Sequence, residues 1–406
     1  MSDGAPMLSV AEARARILAA LAPVGAETVA LPDAWGRVLA EDIAARVALP
    51  PADVSAMDGY AVRAADLVHP PQTFSVIGAA PAGHPFAGTV GPGEAVRLFT
   101  GSVVPEGADA VIAQEDAARE GERVMLSEAA RPGKFIRRRG QDFAPGDVLL
   151  RAPRKLTARD IGLAAATNHP WLAVRRRPRI AIVATGDEIA LPGAPIPPGG
   201  LVSSNSHALA ALVRAAGAEA LHLGIARDDP AAIVALADAA AGCDLLITSG
   251  GASVGEHDLV QQALAVRGFA LDFWKIAMRP GKPLIWGRIG ALPVLGLPGN
   301  PVSAMVCAVV FLLPAIAALL GLPAADPPTT TVRLSVPLGA NDHRADHLRA
   351  TLTAGADGVP VASPFPVQDS GMLARLAWAD CLVLRPPHAP ALAAGATAEA
   401  IVLGAW

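Results

Sequence analysis

Two glycine-rich loops follow runs of apolar residues that are typical of buried strands. Thr185-Gly-Asp-Glu188 comes after the run from Ile180 to Ala184, and Ser249-Gly-Gly251 comes after the run from Leu245 to Thr248. Glycine lets backbone N–H groups approach a phosphate, and a helix that begins after the loop adds a favourable dipole. The loops therefore predict a crevice for a phosphorylated ligand. Tight turns between strands and helices also use glycine, so a purely structural role stays open.

A third loop, from Leu297 to Ser303, has the sequence Leu-Pro-Gly-Asn-Pro-Val-Ser. In it Asn300 stands where the N-cap of a helix is expected, and Pro301 stands at the first helical position. Capping explains both residues without any ligand. The loop matters because it follows a third strand-type run, so it belongs with the other two loops.

Three cations lie close together between the second and third loops. Lys275, Arg279 and Lys282 surround the turn at Pro280 and Gly281. A cluster of this kind beside glycine loops suits an oxyanion or a polyphosphate. A solvated surface turn is the alternative.

The N-terminal half offers a further set of polar residues. The segment from Ser55 to Ala61 holds an acid, Asp58, beside a glycine and the only tyrosine of the chain. Thr100-Gly101 and the segment from Arg137 to Asp142 add a hydroxyl, three guanidinium groups and a second acid. Asp-Gly is also an ordinary turn, and an arginine run is usually a solvated face. None of these segments assigns a function by itself.

The elements that must position these residues follow from the periodicity of the sequence. Between Arg179 and Leu320, strand-type runs alternate with helix-type segments, which predicts parallel strands covered on both faces. In such folds the loops at the carboxyl ends of the strands form the ligand crevice. Residues 49–147 instead carry short β-type runs between Gly and Pro turns, and residues 327–406 resemble a small terminal β-domain. The chain opens with a helix that Ser9 and Glu12 are expected to cap.

Composition narrows the possible classes of protein. A chain of 406 residues exceeds the size at which one core keeps growing, and 52% hydrophobic against 17% charged residues argues against disorder. The formal net charge of -4 provides no basic field, so nucleic acid is not an expected partner. Cys243, Cys307 and Cys381 have neither disulfide nor zinc-ligand spacing.

One segment, residues 302–325, carries no charge and is long enough to span a bilayer. Pro314 interrupts it, Ser303 opens it, and it directly follows a strand-type run and a Pro-Gly turn. These features favour a buried helix over a membrane span. The N-terminus lacks the basic and apolar regions of a secretory signal, so we expect a cytoplasmic location without a membrane partner.

Taken in order, these motifs resemble the molybdopterin molybdenumtransferase family, which includes the E domain of gephyrin. The resemblance covers nearly the whole chain. The matching motifs are Ser55-Ala-Met-Asp-Gly-Tyr-Ala61, Thr100-Gly101, Arg139-Gly-Gln-Asp142, Thr185-Gly-Asp-Glu188, Arg227-Asp-Asp-Pro230, Ser249-Gly-Gly251 with Val254-Gly-Glu-His-Asp258, Pro280-Gly-Lys-Pro283 and Leu297-Pro-Gly-Asn-Pro-Val-Ser303.

The resemblance implies a multidomain α/β plus β fold and a homodimer. The expected parts are a three-layer α/β molybdopterin-binding domain with a parallel-rich sheet, a β-rich inserted domain, a small linking domain and a C-terminal β-barrel-like domain. Their expected boundaries are 7–26 with 179–326 for the α/β domain, 49–146 for the inserted domain, 27–48 with 147–178 for the linking domain, and 327–406 for the terminal domain.

The resemblance also implies an activity. Adenylylated molybdopterin and molybdate are the expected substrates, Mg²⁺ is the expected cofactor, and molybdenum cofactor and AMP are the expected products. A molybdopterin adenylyltransferase would act upstream, and apo-molybdoenzymes or carriers would receive the product. Mg²⁺ prefers oxygen ligands and retains water, so a few carboxylates with pyrophosphate oxygens would be able to hold it.

Site residues carry over from the family position by position. The catalytic acids would be Asp58, Asp142, Glu188, Asp228 and Asp258. Of these, the metal ligands would be Glu188, Asp228 and Asp258. Substrate binding would fall to Thr100, Arg137, Thr185, Gly186, Asp187, Ser249, Gly250, Gly251, Pro298, Asn300 and Pro301. Molybdate, a tetrahedral dianion, would meet Lys275, Arg279, Lys282, Arg349 and Ser370.

Two departures from the family pattern affect the molybdate residues. The usual lysine before the Pro-Gly-Lys-Pro turn is Arg279 here, which keeps the charge but changes the donor geometry. The terminal domain matches the family only loosely around Arg349 and Ser370.

Two other functions stay open at this point. A molybdopterin adenylyltransferase resembles residues 179–320 and shares the Ser-Gly-Gly loop, but the β-rich residues 49–147 argue against it. A pterin-binding scaffold without catalysis is the second, and the presence of all five acids argues against it.

Overall fold

The computed structural model describes residues 7–250, 259–323 and 326–404. Contacts within the chain divide it into two compact units. The first unit comprises residues 1–27, 36–38 and 174–406, and the second comprises residues 28–35 and 39–173. The four domain boundaries expected from the sequence stay a prediction.

The strands before residue 176 are β1 (Ala26–Ala30), β2 (Val38–Leu39), β3 (Ile43–Ala44), β4 (Val54–Ser55), β5 (Gly59–Val62), β6 (Gln72–Ala80), β7 (Glu94–Leu98), β8 (Ala110–Ala113), β9 (Ala117–Glu120), β10 (Arg123–Leu126), β11 (Ile136–Arg137), β12 (Val148–Leu150), β13 (Arg154–Lys155) and β14 (Trp171–Arg175). The later strands are β15 (Arg179–Thr185), β16 (Ile189–Ala190), β17 (Leu201–Val202), β18 (Glu219–Ala226), β19 (Leu245–Ser249), β20 (Phe269–Lys275), β21 (Met278–Arg279), β22 (Pro283–Ile289), β23 (Leu292–Leu297), β24 (Thr329–Leu334), β25 (Ala345–Thr353), β26 (Val361–Pro364), β27 (Cys381–Arg385) and β28 (Thr397–Val402). The α-helices are α1 (Val10–Ala19), α2 (Ala158–Ala166), α3 (Asn205–Ala215), α4 (Pro230–Ala239), α5 (Leu259–Ala265), α6 (Pro301–Cys307), α7 (Leu313–Leu319) and α8 (Leu373–Ala377).

A six-stranded sheet in the order β18-β15-β19-β23-β22-β20 forms the centre of the first unit. The pairs β15–β18, β15–β19 and β19–β23 are parallel, whereas β22 is antiparallel to both of its neighbours. This arrangement confirms the predicted α/β domain with a parallel-rich sheet. The antiparallel strand β22 was not part of the prediction. Because the four parallel strands run in one direction, their carboxyl ends meet at one edge of the sheet.

Both faces of this sheet are covered, which explains the uninterrupted apolar runs of its strands. Ile180 and Ile182 lie in the core that includes residues of α1 and α3, whereas Ala181 and Val183 lie in the core that includes residues of α4 and α5. Helix α1 begins with the predicted capping box, in which Ser9 and the Glu12 side chain satisfy each other's backbone N–H groups.

The uncharged segment after β23 forms α6, a turn of π-helix at Ala308–Leu312, and α7. It is the one helical stretch among the described residues that is long and apolar enough to cross a membrane, and 78% of its most apolar window is buried inside the protein. The prediction of a buried helix is confirmed. The segment lies in the first unit's own core with α1 and α3, so it needs no partner subunit for its burial.

The terminal part of the first unit is a closed five-stranded barrel. Its order is β25-β26-β24-β28-β27, and β27 pairs again with β25 to close it. Alternate residues such as Val332, Ala350 and Val383 fill its interior. The short strand β21 adds to β25 at one side. The barrel confirms the predicted barrel-like terminal domain.

The second unit is β-rich, as the sequence predicted. Its main sheet has the order β8-β5-β7-β6-β10-β9, and two smaller ladders join β4 to β11 and β3 to β12. Tyr60, Phe74, Ile112 and Leu126 belong to the core on one face of the main sheet.

Candidate functional site

The predicted crevice lies at the carboxyl edge of the parallel strands. Ser249 at the end of β19 is in register with Ala184 on one side and with Leu297 on the other. Gly250 has a φ of +98°, and a Cβ atom there would lie 2.6 Å from the backbone oxygen of Thr185. Only glycine permits both this backbone conformation and this close approach of two neighbouring loops. Thr185, Ser249 and Gly250 are therefore brought together as the sequence predicted.

One side chain that sequence reasoning missed joins these loops. The Asn205 Nδ2 amide, at the start of α3, donates to Ser249 Oγ at 2.9 Å and to the carbonyl oxygen of Gly299 at 2.7 Å. The carbonyl can only accept, so the orientation of the amide is fixed by its partners. The signal in the sequence was weak, since Asn205 only stands at the start of a helix-type segment after the first glycine loop.

Two predicted acids of the first unit lie at strand ends, Glu188 after β15 and Asp228 after β18, and the side chains of both are exposed. Gly186 has a φ of +138°, and a Cβ atom there would lie 2.5 Å from Oε2 of Glu188. The glycine therefore allows the carboxylate of Glu188 to fold over the turn. Asp187 Oδ1 accepts the backbone N–H of Asp228 at 3.2 Å, which links the two strand ends. Gly251 and Asp258 lie outside the described residues.

Two hydroxyl groups are buried beside this edge. Neither Thr185 Oγ1 nor Thr248 Oγ1 has a hydrogen-bond partner among the residues that the structure describes. A buried hydroxyl usually has a partner, so these two are exceptions within the described part of the chain.

Asn300 takes the N-cap position of α6, and Pro301 follows at the first helical position, as predicted. However, the Asn300 side chain does not cap the helix. Its Nδ2 donates instead to Ser370 Oγ at 2.8 Å, and the Val302 N–H donates to the Ser370 carbonyl at 3.1 Å. Capping therefore does not explain Asn300, and the turn at Pro298 is tied to a loop of the terminal barrel.

Arg349 lies deep beneath that loop, with 1% of its surface exposed. Its guanidinium donates to the carbonyl oxygens of Asp369 at 2.8 Å and Met372 at 3.0 Å. Gln368 accepts from the Arg349 backbone N–H at 3.0 Å and returns a bond to the Arg349 carbonyl at 3.0 Å. Burial lowers the pKa of Arg349. The structure thus brings Arg349 and Ser370 together, and Gln368 is a second residue that sequence reasoning missed.

The three cations around the Pro280-Gly281 turn have different surroundings. Arg279 pairs with Asp342, and its Nε lies 3.6 Å from Asp346. The ammonium of Lys275 lies 3.8 Å from the centre of the Trp274 ring. Lys282 is half-buried. The change from lysine to Arg279 is thus accompanied by two acids that partly neutralise its charge.

Asp58 and Thr100 meet in the second unit. Oδ1 of Asp58 accepts the Thr100 N–H at 2.7 Å and the Thr100 hydroxyl at 2.8 Å. These bonds, the backbone one above all, hold the pKa of Asp58 below its usual value. The glycine after Asp58 is required by packing, since a Cβ atom on Gly59 would lie 2.0 Å from the Ile112 oxygen. Asp58 is therefore a fixed carboxylate, and the Asp-Gly pair is more than a surface turn.

Arg137 lies on β11, which pairs with β4 and places Arg137 opposite Val54. The Gly101 N–H donates to the Ser55 carbonyl at 2.8 Å, so the loop with Thr100 contacts the same strand. Asp142 is exposed, and its backbone N–H donates to the Leu49 carbonyl at 3.0 Å.

Arg97 is a third residue that sequence reasoning missed. Its guanidinium carbon lies 5.2 Å from the centre of the Tyr60 ring and 5.1 Å from the centre of the Phe99 ring. It donates to the Gly59 carbonyl at 3.3 Å and to Gln114 Oε1 at 2.6 Å. Tyr60 and Arg97 are cross-strand partners in β5 and β7, so this set is rigid.

The five predicted acids are divided between the units. Asp58 and Asp142 belong to the second unit, and Glu188 and Asp228 belong to the first. Their convergence in one groove with Asp258 stays a prediction. Among the described residues, no group of three His, Cys, Asp or Glu side chains is placed to hold a metal ion by itself.

Three family models match successive parts of the chain. A model described as the MoeA N-terminal region (domain I and II) matches residues 8–167, one described as a probable molybdopterin binding domain matches residues 181–318, and one described as the MoeA C-terminal region (domain IV) matches residues 331–403. The first match covers α1 and the β-rich part, the second covers the α/β part, and the third covers the barrel.

Named relatives and a solved structure agree with the family models. The chain is 41% identical to the molybdopterin molybdenumtransferase of Nostoc sp., over 71% of this chain and 69% of that protein. It is 40% identical to molybdopterin molybdenumtransferase 2 of Mycobacterium tuberculosis, over 80% of this chain and 84% of that protein. The crystal structure of a molybdopterin biosynthesis MoeA protein from Pyrococcus horikosii matches with a TM-score of 0.87 at 30% identity, covering 99% of this chain and 100% of that one.

Proposed function

Since this chain belongs to the molybdopterin molybdenumtransferase family and is a transferase of molybdenum cofactor biosynthesis, we propose that it inserts molybdate into adenylylated molybdopterin and releases AMP. The observation that carries the proposal is the crevice at the carboxyl edge of the parallel sheet. There Asn205 joins Ser249 to the turn at Gly299, and Gly250 lies directly against Thr185. This edge lies within the part of the chain that matches a molybdopterin-binding domain.

The crevice residues would bind and orient the pterin pyrophosphate. Thr185, Gly186, Ser249 and Gly250 offer hydroxyl groups and a glycine backbone that a phosphate can approach closely. Gly251 completes the glycine loop in the sequence. The turn with Pro298, Asn300 and Pro301 would border the ligand on the side of β23.

The acidic residues of the first unit would bind Mg²⁺ and orient the water that releases AMP. Glu188 and Asp228 are oxygen donors at adjoining strand ends, which the hydrogen bond from the Asp228 N–H to Asp187 links. Mg²⁺ retains several waters and needs only one or two protein carboxylates, so this donor set fits the ion. A bound Mg²⁺ would supply a Lewis acid that neutralises charge on the pyrophosphate oxygens. Asp258 would complete the set.

Asp58 and Asp142 would act from the β-rich unit. The bonds from Thr100 fix the direction of the Asp58 carboxylate and lower its pKa further, which suits a carboxylate that orients water or an ion. Arg137 would add a positive charge near the phosphates.

Molybdate would bind where the barrel meets the α/β part of the first unit. Ser370 is placed at the turn of Asn300 by two hydrogen bonds, and Arg349 lies below it. Lys275 and Lys282 would supply charge to the dianion. Arg279 would contribute less, because Asp342 and Asp346 already neutralise part of its charge.

A coupled assay tests this function. Purified protein receives adenylylated molybdopterin, molybdate and Mg²⁺, and we expect release of AMP together with a cofactor that activates an apo-molybdoenzyme. Release of pyrophosphate from ATP instead would indicate an adenylyltransferase, a function that the matches to the N- and C-terminal MoeA regions do not favour. Binding without turnover would indicate a scaffold.

We also propose a cytoplasmic homodimer that receives its substrate from a molybdopterin adenylyltransferase and passes the product to apo-molybdoenzymes or carriers. The slight negative charge supports the absence of a nucleic-acid partner. The burial of the apolar helix supports the absence of a membrane partner. Light scattering should give about twice the chain mass of 41.2 kDa, and a single-chain mass would contradict the dimer.

A further inference from the structure

We propose that His207 and His222 form an acid-sensitive contact that holds the start of α3, and with it Asn205, against the edge of the sheet. The proposal rests on the proposed function only in taking the crevice as the substrate site, and it names a regulation of that site. It starts from two rings that lie together in the first unit. The ring centres of this histidine pair are 5.2 Å apart, and the ring planes differ by 26°.

The histidine pair joins two elements that border the crevice. His207 lies on α3, two residues after Asn205, whose amide bonds to Ser249 and to the Gly299 carbonyl. His222 lies on β18, which stands at the end of the strand order and pairs with β15. Contact between the two rings therefore helps to fix the helix start that carries Asn205.

His222 lies where a second ring proton would have no acceptor. Its side chain is half-buried, and its Nε2 atom is buried without a hydrogen-bond partner among the described residues. A neutral imidazole carries a proton on one of its two nitrogens, whereas the charged form carries a proton on both. In the charged form Nε2 would be a buried donor without an acceptor, which costs free energy. The packing around His222 therefore favours the neutral ring.

The charges near His222 act in the same direction. On α3 the titratable and charged groups that affect it are His207 and Arg214. On β15 its register partner is the apolar Ile182, and on β18 itself Glu219 lies on the opposite face, at an odd step along the strand. Burial above all, and then the charges of His207 and Arg214, lower the pKa of His222.

Acid weakens the histidine pair for this reason. Because folding lowers the pKa of His222, the pair loses stability as the pH falls from the usual histidine value of about 6.5 through the lowered pKa. Below that range a charged His222 lies beside His207 and Arg214, and the contact between α3 and β18 loosens. Asn205 then holds the crevice loops less firmly, and substrate binds more weakly. At neutral pH the ring is uncharged, so Arg214 has no effect on the pair there.

Amide hydrogen exchange at two pH values tests the histidine pair in the intact protein without substrate. The Ala208 N–H donates to the Ser204 carbonyl at the start of α3, and the Gly250 N–H donates to the Leu297 carbonyl in the crevice. After correction for intrinsic rates, both amides should exchange at least about threefold faster at about pH 5.5 than at about pH 7.5, relative to amides of β27.

His222→Phe is the main variant, because phenylalanine keeps an aromatic ring but cannot take up a proton. Its exchange at neutral pH should match that of the wild type, and the increase in acid should disappear. His222→Gln should also lose the increase in acid, whatever its exchange at neutral pH. His343→Phe is the matched control, since His343 is an exposed histidine before β25 in the same unit, and it should keep the increase.

The proposal is overturned if the wild type shows no increase in acid at either amide, if either His222 variant keeps the increase, or if His343→Phe removes it. NMR titration gives an independent measurement, in which the His222 ring should titrate at lower pH than a free histidine. An equal or higher value contradicts the proposal.

The effect on the crevice has its own measurement. The KM for adenylylated molybdopterin should rise in acid more in the wild type than in His222→Phe, and an equal rise in the two proteins would contradict the link to the crevice. A protein without turnover would count against the proposed function. The exchange experiment needs no substrate, so it would still decide on the histidine pair.

Discussion

Replacement of Asn205 by alanine tests whether one amide holds the crevice together. The change removes the donors to Ser249 Oγ and to the Gly299 carbonyl. A hydrogen bond contributes about 0.5–1.5 kcal/mol net, so two of them contribute about 1–3 kcal/mol. Asn205 is half-buried, and water can replace part of its contribution. We therefore expect a local loss of about 1–2 kcal/mol, close to a factor of ten in an equilibrium constant.

Amide hydrogen exchange measures this loss where it occurs, which a global melting curve of a multidomain chain does not. The Gly250 N–H bonds to the Leu297 carbonyl, and the Ala304 N–H bonds to the Asn300 carbonyl. Both should exchange about tenfold faster in Asn205→Ala. Amides of the barrel strand β27 should keep their rates.

The same variant should affect substrate binding more than the chemical step. A looser crevice raises the KM for adenylylated molybdopterin by about tenfold, while kcat changes less, because the amide orients the loops and not the reacting atoms. Asn205→Asp should lose more than Asn205→Ala, since a carboxylate would face the Gly299 carbonyl. Arg214→Ala, at an exposed side chain near the other end of the same helix, is the control. The reasoning is refuted if exchange at both amides and KM stay at wild-type values, or if Arg214→Ala behaves in the same way.

Three further predictions concern other parts of the site. Asp58→Asn should stay folded but lose AMP release. The pKa of Asp58 lies below its usual value, so the stability of its pair with Thr100 is present above the usual pKa and is lost as the pH falls through the lowered pKa. Thr100→Val should therefore move the acid limb of the AMP-release pH profile upward. Gly250→Ala should destabilise the protein by about 1–3 kcal/mol in denaturant unfolding, clearly more than the control Gly224→Ala. Gly224 also has a positive φ, of +100°, but nothing lies within 4 Å of a Cβ atom there. Equal losses of stability in the two variants would show that the contact with Thr185 plays no part. Gln368→Ala should raise the KM for molybdate by about tenfold without changing the affinity for AMP, because it frees the loop above Arg349; an unchanged molybdate KM contradicts that positioning role.

Some features of the protein were predictable because they depend on local periodicity. The capping box of α1, the alternation of strands and helices after Arg179, and the short strands of the β-rich part all leave patterns within a few residues. Glycine at position 250 was also predictable as a tight turn. Its reason, the approach to Thr185, was not, since that contact joins two different strand ends.

The site residues that sequence reasoning missed have hydrogen-bond partners in other segments of the chain. Asn205 contacts Gly299 at a separation of 94 residues, and the Asn300 side chain leaves its helix for Ser370 at a separation of 70. Arg97 acts through Gly59 on the neighbouring strand β5 and through Gln114 in the helical turn that follows β8. A pattern in one segment contains no information on such pairs.

From the sequence alone came the family, the fold class and the identity of most candidate residues, since motif order and periodicity are properties of the linear chain. Only the tertiary structure decided which side chains are bound to one another. It showed Asn300 held by Ser370, Arg279 paired with Asp342, and Arg349 buried beneath a loop. The physical reason is that hydrogen bonds and ion pairs depend on distances of about 3 Å, and these distances are set only when segments remote in sequence pack together.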